Sequence, residues 1–143
     1  MCLQIENPIA DCVPPAKSIR VWKWYEGGQS LRPCQLPLAA DEYVSPFRYN
    51  RQVITKGKLL VSGRKKRALT KEERSEKAVS EGFHAFQSLE TLKWCASAWS
   101  GPHYAVEISV RPRDVVAKGI FLSKDKEPSI VFKRGVVMSI QRI

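Results

Sequence analysis

The stretch Tyr104-Ala105-Val106-Glu107-Ile108-Ser109-Val110 decides the fold. Tyr104, Val106, Ile108 and Val110 alternate with Ala105, Glu107 and Ser109, a period of two that predicts a half-buried strand. Pro112 ends it, because proline has no amide to give to a ladder. Gly101-Pro102 stands before it as a stop signal for a helix. That helix is written over about 89–99, where Leu89, Leu92, Ala96 and Trp99 fall on one face and Ser88 supplies a cap.

Outward from this centre the pattern stays strand-like. Residues 81–86 (Glu-Gly-Phe-His-Ala-Phe) read as a short strand entered through Gly82. Thr70-Lys71-Glu72-Glu73 matches a capping box and predicts a helix over about 71–80 with a thin apolar stripe, Ala78 and Val79. Residues 52–61 read as a strand or hairpin around Gly57. Residues 18–25 alternate too: Ile19, Val21, Lys23 and Tyr25 share one face, and Arg20, Trp22 and Trp24 the other. Downstream, 130–133 and 136–140 are strand candidates with Gly135 between them. Prolines and glycines leave about 1–17 and 26–50 irregular. Several strands are joined by links too short for a βαβ crossover. The expectation is a single α+β domain over 1–143, with a mostly antiparallel or mixed sheet and about two helices on one face.

The composition narrows the function classes. A chain of 143 residues with 43% apolar content fits one core without metal or disulfide. No apolar run is long enough for a membrane helix, and the first ten residues carry neither a basic nor an apolar signal segment. Cys2, Cys12, Cys34 and Cys95 lack zinc spacing beside only two histidines, His84 and His103, so they read as reduced thiols of a cytoplasmic protein, with no metal or other cofactor expected. Twenty-four Lys+Arg against fourteen Asp+Glu give a net charge of +10. That excess attracts anions and excludes a nucleic-acid mimic.

The candidate site residues follow from chemistry. Arg64, Lys65, Lys66 and Arg67 form the densest charge run, suited to phosphates or otherwise a solvated loop. Trp22 and Trp24, beside Arg20 and Lys23, offer stacking faces or belong to the core. His84, bracketed by Phe83 and Phe86, is a ligand-stacking group, a general acid–base in an enzyme, or a hydrogen-bonded structural residue. Cys2 is an N-terminal nucleophile if Met1 is removed. Glu107 assists His84 or holds a ribose hydroxyl if its sheet face lines a cleft. No GxSxG, HExxH, P-loop or Gly-rich dinucleotide turn occurs, which weighs against the common enzyme classes.

The opening Met1-Cys2-Leu3, the segment Gly82-Phe83-His84-Ala85-Phe86, and the helix and strand that lead to Pro112-Arg113-Asp114 resemble small bacteriophage and prophage proteins. The resemblance covers the first residues and 81–116. It implies an accessory role against host defence, exercised by binding or degrading a nucleotide signal or by blocking a defence protein. Three partners are therefore expected in turn: a nucleotide or similar anionic ligand, a nucleic acid, or an acidic host protein. The competing enzyme reading is a nucleotide or phosphodiester cleavage using His84, with Cys2 or Glu107 assisting.

Overall fold

The computed structural model describes residues 3–7, 10–26, 56–62, 69–79, 82–98, 103–121 and 128–143. In chain order the strands are β1 (Leu3–Gln4), β2 (Ile19–Glu26), β3 (Leu59–Val61), β4 (Ala78–Val79), β5 (Phe83–Phe86), β6 (His103–Val110), β7 (Val115–Phe121), β8 (Pro128–Phe132) and β9 (Arg134–Arg142). The helices are α1 (Lys71–Glu76) and α2 (Leu89–Ala96). The strands join in one sheet of order β3-β9-β6-β2-β5-β8-β7-β1-β4. Every pairing among the described residues is antiparallel.

The sheet turns two corners. β8 and β9 are separated by Lys133 alone, yet β8 pairs with β5 and β7 while β9 pairs with β6 and β3. β6 and β7 are likewise split by Arg111 and a 3-10 turn at Pro112–Asp114. Main-chain bonds tie the corners together: the Lys133 amide donates to the Asp114 carbonyl (2.9 Å), and the Ser62 amide donates to the Lys133 carbonyl (2.7 Å). The end of β3 thus reaches the β8–β9 corner, and the sheet wraps around its own inner face. Strands that pass from one half of a sheet to the other through bends are the usual way to build such a wrap.

The wrap encloses the main core. Val21, Leu60, Phe83, Ala85, Val106, Ile108, Val115, Ile130, Phe132 and Val137 meet there, and no helix contributes to it. The outer face carries two further layers. Leu92 and Ala96 of α2 cover Trp24, Phe86 and Ala105. Leu3 and Val79, from β1 and β4, cover Val116, Ala117 and Val131.

Several expectations change in the structure. The two helices are present, but α1 buries no residue, so only α2 packs on the sheet. The capping box is present in full, with Thr70 Oγ1 accepting from Glu73 N and Glu73 Oε1 accepting from Thr70 N. Helix α1 nevertheless stops at Glu76, because Lys77 adopts a left-handed conformation (φ 52°). Ala78 and Val79, expected as its apolar stripe, are strand β4 instead. Helix α2 ends at Ala96, and Trp99 lies outside the described residues. The expected irregular 1–17 contains β1 and a 3-10 turn at Ala10–Cys12. β6 is buried on both faces from His103 to Val106, not half-buried, because α2 covers its outer side there. Of the strand expected over 52–61, Leu59–Val61 is present, Gly57 is a turn residue with φ 88°, and 51–55 lie outside the described residues.

Removing the Thr70 cap leaves an orphan amide at an exposed helix end. Thr70→Ala is therefore expected to cost about 1 kcal/mol, with amide exchange in α1 accelerated and the β6 amides unaffected.

Candidate functional site

The period of β2 places Lys23 on the inner face with Val21, and Lys23 is fully buried. An ammonium inside a core needs partners. Its Nζ donates to the main-chain carbonyl of His84 (2.8 Å) and stands 5.7 Å from the centroid of the Phe83 ring, which itself stacks on Phe132. The ladder has room for this side chain. β2 pairs with β6 along all eight residues but with β5 only where Trp22 faces Phe86. Lys23 bridges the rest of that seam. Its sequence signal was positional, since it shares a face with Ile19 and Val21, but lysine counts as polar in any pattern of hydrophobicity.

His84 is 1% exposed, with Nδ1 3.2 Å from the Gly82 carbonyl oxygen and Nε2 3.0 Å from that of Val79. Both ring nitrogens are engaged by the protein. Trp24 is also buried, beneath α2: its Nε1 donates to Nδ1 of His103 (3.1 Å), and the two rings meet edge to face at 5.3 Å. That bond puts the His103 proton on Nε2. His103 escaped the sequence reading because a lone histidine after Pro102 carries no signal until Trp24 is placed beside it.

Glu107 is not paired with His84. It lies opposite Trp22 in the β2–β6 register and accepts from Arg20 (3.1 Å), with side-chain exposures of 25% and 50%. His84 is two strands away, about 10 Å at ordinary strand spacing. The general-base pair considered from the sequence is therefore not assembled. Exposed ion pairs contribute little, so Glu107→Gln is expected to change stability by less than about 1 kcal/mol in chemical denaturation.

Of the expected site, Trp22 remains half-buried on the outer face at the flank of α2, beside the exposed Arg20. Trp94 is 56% exposed on α2 and had not been singled out. Exposed cations are spread over several elements: Lys71 and Arg74 on α1, Lys118 on β7, and Arg134 and Arg142 on β9. Arg64, Lys65, Lys66, Arg67 and Cys2 lie outside the described residues. Cys12 and Cys95 are half-buried. Among the described residues, no three His, Cys, Asp or Glu side chains converge as a metal site, and no helix is long and apolar enough to cross a membrane. No family model, curated protein or solved structure matches the chain.

Proposed function

We propose that this protein is a phage-type accessory module that binds a nucleotide or another phosphorylated anion, countering host defence by sequestering it rather than cleaving it. One observation carries the reading. A net charge of +10 accompanies an outer sheet face where Trp22 is half-buried and Arg20, 50% exposed, is paired with Glu107, while both ring nitrogens of His84 are engaged by main-chain carbonyls. Arg20 supplies a guanidinium for phosphate, and Trp22 an aromatic face for a base. Arg64, Lys65, Lys66 and Arg67 add sequence-level charge to the same chemistry.

The test is direct. Protein purified at moderate salt is denatured, the polypeptide removed, and the supernatant read by ultraviolet absorbance and mass spectrometry. A discrete nucleotide near one equivalent supports sequestration, and turnover of that nucleotide by the purified protein overturns it. The spread of exposed cations over α1, β2, β7 and β9 favours a second reading, binding to a nucleic-acid backbone. That reading predicts affinity falling steeply with salt, about 0.9 in log–log slope per phosphate contacted on duplex DNA, where a small ligand gives a shallow slope.

A further inference from the structure

We propose that His84 is held as an imidazolium and acts as a proton-dependent latch between β5 and the layer formed by β1 and β4. The geometry of its ring carries the inference. Nδ1 and Nε2 each lie within hydrogen-bond distance of a main-chain carbonyl oxygen, Gly82 at 3.2 Å and Val79 at 3.0 Å. A carbonyl oxygen only accepts. A neutral imidazole has one N–H, so it satisfies one of these oxygens and turns a lone pair toward the other. The imidazolium donates to both, and bonds from an ionised donor are roughly twice as strong as neutral ones. At a position 1% exposed, those two bonds offset the cost of the charge.

The placement makes this a latch. Val79 belongs to β4, at the far end of the sheet order from β3 and four places from β5. The His84–Val79 contact is therefore no part of a ladder. It spans five residues of sequence and fixes the end of β4 relative to β5, beside β8, where Val131 lies opposite His84 and packs with Leu3, Ile5 and Val79. With the proton gone, one nitrogen faces its carbonyl without a hydrogen, and the end of β4 loses a hydrogen bond that fixes it against β5 beyond the chain link through 80–82.

The charged groups around the ring set the range over which it acts. From β2, the Lys23 ammonium donates to the main-chain carbonyl of His84 and opposes a second positive charge. Lys77, beside β4, is exposed, as are Glu76 of α1 and Glu90 and Lys93 of α2. β8 and β1 bring Val131 and Leu3, which are apolar. Glu81 lies outside the described residues. The sign follows from linkage. The folded state holds the proton more tightly than the unfolded chain does. The stabilisation is thus complete below the ordinary histidine value of about 6.5 and is lost as pH rises through the folded value.

Uniformly ¹⁵N-labelled full-length protein tests the assignment by long-range proton–nitrogen correlations at about pH 7.5, one unit above the ordinary value. Both nitrogens of His84 are expected at protonated-nitrogen shifts, and Nδ1 of His103, which accepts from Trp24, serves as the unprotonated reference. An unprotonated nitrogen on His84 overturns the proposal. In urea unfolding, the wild-type folding constant is expected to fall relative to that of His84→Gln, by up to about tenfold per pH unit above 6.5. Identical pH dependence of the two proteins overturns it, and if the variant does not fold the wild-type spectrum alone decides. The latch itself is read at the amide of Ile5, which bonds the Lys77 carbonyl. Its protection relative to a β6 amide is expected to drop as pH rises, and a constant ratio overturns the latch.

Discussion

Lys23→Ala is expected to destabilise the fold by about 3–5 kcal/mol in urea unfolding, a loss on the scale of truncating a large core side chain. Two terms combine. The four-carbon stem is fully buried and its ammonium stands over the Phe83 ring, so its removal opens a cavity where the β2–β5 ladder gives little support. The carbonyl of His84 also loses the ammonium that bonds it at 2.8 Å, and a hydrogen bond to a charged donor contributes about 1.5–3 kcal/mol. Lys23→Met separates the terms. Methionine keeps most of the stem, removes the donor and spares the core a charge, and burying an ion often gains nothing over a matching apolar group. Its expected cost is about 1–2 kcal/mol, well below that of alanine. An alanine variant within about 1 kcal/mol of wild type would mean that the seam collapses around the gap and that Lys23 fills space it does not need to fill.

The same residue shows where a sequence reading stops. The alternation of β2 was legible, down to which residues share a face, because a half-buried ladder writes its period directly into Ile19, Val21, Trp22 and Trp24. β5, β6 and α2 were legible for the same reason, helped by Gly82, Ser88 and Pro112. The wrap of the sheet was not. Its corners are held by main-chain groups of Ser62, Asp114 and Lys133, which any residue carries, so no side-chain pattern announces them. β4 was hidden behind a capped helix: two apolar residues after Glu76 continue a helical stripe equally well, and only the left-handed Lys77 diverts them. β7 was missed because Val115, Val116 and Ala117 are buried together and show no period of two at a bulge. At the candidate site, the residue types were legible but their partners were not. Trp24 finds His103 and Glu107 finds Arg20 across most of the chain, while His84 finds two carbonyls close by in sequence, Gly82 and Val79, which its strand pattern did not announce.

Gly119→Ala is expected to lower stability by about 2–4 kcal/mol, and to do so at one end of the sheet. In β7, next to the Gln4–Ile120 pair, the main chain of β1 approaches so closely that a Cβ on residue 119 would overlap the carbonyl oxygen of Gln4. A flexible side chain in the way could rotate, but this obstacle is backbone. β1 must move, and its movement lifts Leu3 and Ile5, both essentially fully buried, from Val116, Ala117 and Val131. Exposing two such side chains costs about 1.5–3 kcal/mol each at full loss, so the detachment of β1 sets a ceiling on the penalty. The inner core does not include this layer. Hydrogen exchange is therefore expected to show lost protection at Ile5, whose amide bonds Lys77, while amides of β6 and β2 keep theirs in proportion to the global change. Uniform loss across β6 would mean instead that the β1–β4 layer and the wrapped core unfold as one unit. A proton-dependent tie at His84 would then act on the stability of the whole fold rather than on that layer alone.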